Sequence, residues 1–121
     1  MKVRCLITTD ALGNPSTSSP WMTVGKIYHV LAVELDFHNR WLLRLVGDRD
    51  PGVGLFPLAQ FEVVSAKVPD GWVVSWNGGH RFELSPASWL EPNFWDHYFD
   101  RDENAMRSFD DEMRRIVRAD P

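Results

Sequence analysis

Up to residue 84 short stretches in which apolar and polar positions alternate with a period of two are separated by loops, and beyond Ser85 the apolar spacing lengthens to that of a helix. In KVRCLIT (2–8), Val3, Cys5 and Ile7 fall on one side of a first strand. TDALGNPSTSSPWM (9–22) is rich in Gly, Asn, Pro and Ser, which is loop chemistry, and Trp21 is the residue best placed to pin it. A loop this long in a compact domain is often functional, so 9–22 is a secondary candidate surface. TVGKIYHVLAVEL (23–35) is rich in β-branched residues and has Gly25 near its start as a bend or bulge. RWLLRLV (40–46) places Trp41, Leu43 and Leu45 on one face and Arg40 and Arg44 on the other. With DFHN (36–39) as the turn, residues 26–46 read as a hairpin. LFPLAQ (55–60) is an edge or turn segment because Pro57 cannot donate to a ladder, and FEVVS (61–65) is another short strand. WVVSWNGGHRFEL (72–84) reads as a second hairpin. Trp72, Val74 and Trp76 share one face, and Asn77, Gly78 and Gly79 supply the turn.

The tail carries a helical pattern. Ser85 and Pro86 resemble an N-cap followed by proline at the first helical position. Phe94, Trp95, Tyr98 and Phe99 fall on a single helical stripe. Asp100 and Glu103 form a D-x-x-E variant of the capping box, opening a final helix to about Arg118. Its apolar residues Met106, Phe109, Met113, Ile116 and Val117 share one face. Glu103–Arg107, Asp110–Arg114 and Asp111–Arg115 are i,i+4 pairs in the favourable order. Together these patterns predict one α+β domain over 1–121. A small, strongly bent, SH3-like antiparallel β-barrel with an additional hairpin (1–84) would be packed by C-terminal helices (85–121). The ring stripe is read as the glue between them, since four bare rings would form an apolar patch that soluble monomers seldom carry.

Composition adds little until the charge is divided. Residues 1–90 carry eight basic and eight acidic groups and sum to zero, while 91–121 carry nine acids and five arginines, 5 − 9 = −4. No basic patch suited to nucleic-acid phosphates is visible, and a basic protein partner suits the tail better. The lone Cys5 excludes an intrachain disulfide and is expected on the buried strand face. The opening MKVRCLITTD lacks the apolar core of a secretory leader and no run reaches the roughly 20 apolar residues of a membrane span, so a cytoplasmic protein is expected.

Candidate chemistry is sparse. GDRDPGVG (47–54) spaces Asp48 and Asp50 as a calcium loop would, but the later ligand positions hold Gly52, Val53 and Ala59, so an acidic turn is the reading. His29, His38, His80 and His97 show no metal-ligand spacing; His29 reads as a half-buried, hydrogen-bonded strand residue. A small enzyme would need His97 or His80 in a cleft with a carboxylate, and no pattern supplies one. No cofactor, metal or catalytic residue is therefore expected. Trp41, Trp72, Trp76 and Trp95 fall on predicted core faces, and Trp21 and Trp89, in loop or turn context, are the better candidates for exposure.

MTVGKIYHVLAVE followed by RLVGDRDPGVGLFPLAQFEVV, with the acidic FWDHYFDRD tail, resembles immunity proteins of bacterial contact-dependent growth inhibition systems over about two thirds of the chain. The resemblance implies a cytoplasmic antitoxin that binds and occludes a toxin domain. The physical reading allows this independently: an acidic surface suits the basic cleft of a nuclease. Asp96, Asp100, Asp102, Glu103, Asp110 and Asp111 are the expected contact carboxylates, with Trp89 as a central anchor. The alternative is a regulatory or scaffold module that binds a peptide through Trp21, Phe56 and Pro57.

Overall fold

The computed structural model describes residues 1–10, 12–16, 19–49, 52–76 and 81–121. Among these residues ten strands come first: β1 (Lys2–Cys5), β2 (Thr8–Thr9), β3 (Pro15–Ser16), β4 (Ile27–His29), β5 (Ala32–Leu35), β6 (Trp41–Val46), β7 (Val53–Pro57), β8 (Phe61–Ser65), β9 (Trp72–Trp76) and β10 (Phe82–Pro86). Short 3-10 turns follow β7 (Leu58–Gln60) and β10 (Ala87–Leu90), and two helices close the chain, α1 (Phe94–Phe99) and α2 (Glu103–Ala119). The α+β class with antiparallel pairing is as the alternation predicts.

Among the described residues the strands do not close into a barrel. They form a five-stranded sheet in the order β7-β6-β5-β10-β9, a three-stranded sheet β4-β1-β8 and the small pair β2-β3. The reason lies at Val30 and Leu31. The Val30 N–H donates to the Met1 carbonyl in one sheet (3.0 Å), and the Leu31 N–H donates to the Arg44 carbonyl in the other (2.9 Å). One bent segment thus passes from sheet to sheet. The predicted additional hairpin does not stand apart: β10 pairs with β5, with Phe82 opposite Leu35 and Leu84 opposite Val33, and so widens the main sheet. The predicted NGG turn and His80 lie outside the described residues, as does Asp50.

The five-stranded sheet is a middle layer with a core on each face. Toward the three-stranded sheet, Leu43 and Leu45 pack with Val3, Cys5, Met22, Tyr28, Val30 and Phe61. Toward the helices, Leu31, Trp89, Phe94, Ala105, Phe109 and Ile116 form a second cluster. Cys5 is buried, as its alternation with Val3 predicts, and burial pushes its thiol above the ordinary value.

Local chemistry sets the turns. In the β5–β6 connection the Asp36 carboxylate accepts from the His38 and Arg40 N–H groups (both 2.9 Å) and from Arg40 Nε (2.8 Å). Asn39 takes the left-handed conformation there (φ 59°), which an amide side chain tolerates better than most.

The tail departs from its expected boundaries. Ser85 and Pro86 do not open a helix; they end β10, paired with Val73 and Trp72. Pro86 lacks an N–H, so the ladder stops there and the chain turns at 87–90. The cap of α2 is Asp102, whose carboxylate accepts from the Ala105 N–H (2.9 Å), and not Asp100, whose N–H donates to the Asp96 carbonyl as α1 ends. Arg101, at φ 64°, makes the bend between the helices. On α2, Arg114 pairs with Asp111 (3.7 Å) and Arg115 with Glu112 (2.8 Å), i,i+3 contacts instead of the i,i+4 set.

Beyond α2 the chain is strapped to the three-stranded sheet. The Asp120 carboxylate accepts from Ser65 Oγ (2.5 Å) and lies 3.2 Å from the Met1 amine. His29 Nε2 hydrogen-bonds with the Asp120 carbonyl oxygen (2.6 Å) and Lys67 Nζ donates to that of Ala119 (2.8 Å). His29 is thus half-buried and hydrogen-bonded, as the strand pattern suggested.

Candidate functional site

The rings of the tail are indeed mostly interior. Phe94 is buried, Trp95 and Tyr98 are half-buried, and Phe99 is the exposed end of the stripe. Trp89 sits at their centre, 2% exposed, between Phe109 (5.3 Å, planes 16° apart) and Phe94 (6.2 Å, 23°). Tyr98 closes on Phe109 at 4.7 Å. Trp89 therefore cannot be an exposed anchor for a partner. The turn at 87–90 tucks it under both helices, and the burial that makes it structural removes it from the contact surface.

The carboxylates face outward. Asp96, Asp100, Asp102, Glu103, Asp110 and Asp111 are all exposed. They divide by location. Glu103, Asp110 and Asp111 line one shallow depression along α2, with Arg107 and Arg114 interleaved. Asp96 instead lines a separate depression of about 400 Å³ with Ser75, Arg81, Glu83 and Asn93 among its walls. Asp102 is committed to capping α2, and Asp111 is 3.7 Å from Arg114. Asp96, Asp100, Glu103 and Asp110 carry no ion pair to another described residue, which leaves their charge available to a partner.

Under α1 lies a charged cluster that sequence alternation places on the solvent side. Arg44 is 7% exposed because the helical layer covers that face of the sheet. Its guanidinium stacks on the Trp95 ring, 3.8 Å from the centroid, and it lies 3.8 Å from the Glu34 carboxylate, which is also buried. Glu83 stands directly opposite Glu34 in the ladder and pairs with Arg81 at 2.7 Å. Burial, followed by the like charge of Glu83, raises the Glu34 carboxyl above its ordinary value against the pull of Arg44. Burial likewise lowers Arg44 against the pull of Glu34. The cluster fixes α1, and with it the acidic turn, onto the sheet.

Asp48, just after β6, organises a second surface. Asp48 accepts from Lys26 Nζ (2.6 Å), Thr23 Oγ1 (2.6 Å) and the Tyr28 hydroxyl (3.0 Å). Burial raises the Asp48 carboxyl, but these three donors outweigh it and the net shift is downward. The Asp48 N–H also donates to the Trp21 carbonyl (2.8 Å), so residue 21 is tied down through its backbone and not, as expected, by packing of its ring, which is 45% exposed. A Cβ at Gly47 would stand 2.6 Å from that same carbonyl, so the close approach requires glycine. Trp21, one of the two tryptophans that were candidates for exposure, is exposed and lines a depression of about 220 Å³ with Leu55, Phe56, Pro57 and Gln60.

A third surface was not foreseen. Trp76, Phe82, Leu35 and Trp41 form one row across four neighbouring strands. Trp76 is 69% and Trp41 45% exposed, and both were expected in the core. Their face is the one predicted, but the three-stranded sheet covers only its other end. Phe37 adds a further bare ring, with Arg81 6.0 Å from its centroid.

Among the described residues no group of three His, Cys, Asp or Glu side chains is placed to hold a metal ion, and no helix is long and apolar enough to cross a membrane. His97 is exposed on α1. Comparison with known protein families, with curated proteins and with solved structures finds no match to this chain.

Proposed function

We propose that this chain is a non-catalytic immunity protein that acts in the cytoplasm by binding and neutralising a basic toxin domain, of nuclease type, through the acidic face of α1 and α2. The observation that carries the reading is that Asp96, Asp100, Glu103 and Asp110 are exposed, with no ion pair among the described residues, on or at the end of helices anchored by stacked, buried rings. Carboxylates held in place beforehand lose little entropy on docking, and their field draws in a cationic cleft. The contact set is the six carboxylates without Trp89, and Asp102 contributes chiefly by holding the first turn of α2.

The test is affinity capture from cells that carry the gene. The bait is compared with a variant bearing Asp96→Asn, Asp100→Asn, Glu103→Gln and Asp110→Asn. Wild type should retain a basic protein whose expression alone is toxic and whose toxicity the chain suppresses, and the variant should lose both. Equal capture and equal protection by the variant would sink the acidic-face reading.

One observation favours a second reading, a scaffold module that takes a peptide. Trp21, Phe56 and Pro57, on two separate segments, meet at one depression. In that reading the two sheets joined at Val30–Leu31 are an opened relative of an SH3-like barrel. The charge-neutralised variant would then bind as well as wild type, and Trp21→Ala would abolish binding.

A further inference from the structure

We propose that β9 pairs antiparallel with β9 of a second copy about Val74, joining two five-stranded sheets edge to edge. This contact runs along the sheet edge beside the depression that Ser75 shares with Asp96, and it uses none of the acidic carboxylates.

The sheet orders leave β7 and β9 at the edges of the main sheet, and β4 and β8 at those of the smaller one. A free edge offers unpaired backbone groups to any other chain, and natural edges are blunted by charge, proline, bulges or a covering segment. Three of the four are so protected. β7 contains Gly54 and ends at Pro57. β8 carries Glu62 and a register shift against β1. The ends of β4 and β8 are also bonded to the segment around Asp120 through His29 and Ser65.

β9 has none of these devices among the described residues. Its sequence, Trp72-Val73-Val74-Ser75-Trp76, has no charge and no proline. It is apolar on both faces: Val74 is 61% and Trp76 69% exposed on one, and Val73 is exposed on the other. The strand is also close to a palindrome. With Val74 opposite itself across a two-fold axis normal to the sheet, Trp72 stands opposite Trp76 of the second copy, and Val73 opposite Ser75. Trp72 is packed against both cores, so the exposed Trp76 of each copy lies over the part of Trp72 they leave uncovered, a cross-strand contact of the kind that stabilises an antiparallel ladder. A closed two-fold pairing also uses up the edge, so the sheet does not grow further.

The size of the contact sets its strength. The exposed shares of Val73, Val74 and Trp76 amount to roughly 300 Å² per copy, taking about 150–250 Å² for an aromatic side chain. With the backbone added, the total still falls below the roughly 1,200 Å² of lasting interfaces. The dimer is therefore weak and exchanges with monomer.

Sedimentation of the intact chain tests this between about 10 μM and 1 mM, the range in which such a contact binds. The mean mass should rise from 14.0 kDa toward twice that value. Val74→Lys, which sets like charges against each other on the axis, should weaken association at least tenfold at unchanged melting temperature. Air oxidation of Val74→Cys gives the register. Facing Cα atoms stand about 4.5–5.5 Å apart, within disulfide reach, so the dimer should cross-link. Val73→Cys should not, because its diagonal mate lies about 7–8 Å away. The one native cysteine, Cys5, is buried and gives no background. A wild-type mass of 14.0 kDa throughout, association unaffected by Val74→Lys, or equal cross-linking by the two cysteine variants would each overturn the proposal.

Discussion

Replacing Trp89 by alanine removes the ring on which both helices rest. The side chain is 2% exposed and lies between Phe94 and Phe109. An aromatic residue of this size buries about 200 Å², which at ~25 cal/mol/Å² is about 5 kcal/mol, and alanine keeps part of it. Two stacked neighbours add about 0.5–1.5 kcal/mol each when lost, while partial collapse of the cavity returns some of the total. The expected loss is about 3–5 kcal/mol, a large share of the roughly 5–15 kcal/mol that holds a domain folded. Phenylalanine at 89 behaves differently. It keeps a ring in the stack and removes Nε1, which is buried and meets no acceptor among the described residues. Sparing that buried donor offsets part of the lost contact, so Trp89→Phe should cost about 1 kcal/mol or less. Urea unfolding followed by far-ultraviolet circular dichroism measures both, with the denaturant slope checked for constancy. A loss below about 1 kcal/mol for alanine, or equal losses for the two variants, would refute the claim that stacking at 89 carries the helical layer.

Arg44→Met leaves Glu34 buried without its counter-charge and should cost about 3–5 kcal/mol, whereas the double variant Glu34→Leu/Arg44→Met should recover most of it; equal losses in a denaturant series would contradict the pairing. Because the Glu34 carboxyl is raised in the folded state, folding takes up protons there, and its contribution weakens as pH rises through the ordinary value of 4.5 and beyond. The stability of wild type relative to Glu34→Gln should therefore fall as pH climbs from about 4 to 7, and a flat difference would show no shift. Asp48 is lowered, so its stabilisation is present above the ordinary value of 3.8 and lost on acidification; Asp48→Asn should flatten the acid limb of the unfolding curve. Gly47→Ala forces the Trp21 carbonyl aside and should cost about 1–3 kcal/mol in thermal or urea unfolding.

Periodicity made the strands, the α+β class and the helical stripe legible, because these depend on which neighbours a residue meets along its own segment. It assigned Trp41 and Arg44 to opposite faces of β6 correctly and misjudged the environment of both. Trp41 lies beyond the end of the smaller sheet and is exposed, and Arg44 lies under α1 and is buried. Which part of a face another layer covers depends on how far that layer extends, and a pattern of twos does not encode it. The same gap explains Trp89, whose turn context reads as surface until two later helices fold over it. The expectation of a closed barrel failed for a related reason, since the bend at Val30–Leu31 leaves alternation nearly intact while moving the chain between sheets. The outward direction of the acids was legible because the rings alternating with them fix the helical phase. Their division between two depressions depends on the Arg101 bend, which residue types alone do not announce.

The proposed role of the acidic face is tested most directly by stopped-flow association of the chain with a basic toxic protein recovered by the capture experiment, measured across a salt series. Steering by free carboxylates gives an on-rate that drops about tenfold or more between low and physiological ionic strength, and the Asp96→Asn, Asp100→Asn, Glu103→Gln, Asp110→Asn variant should start near the high-salt rate and change little. An on-rate indifferent to salt, or one that the four substitutions leave untouched, would contradict the account.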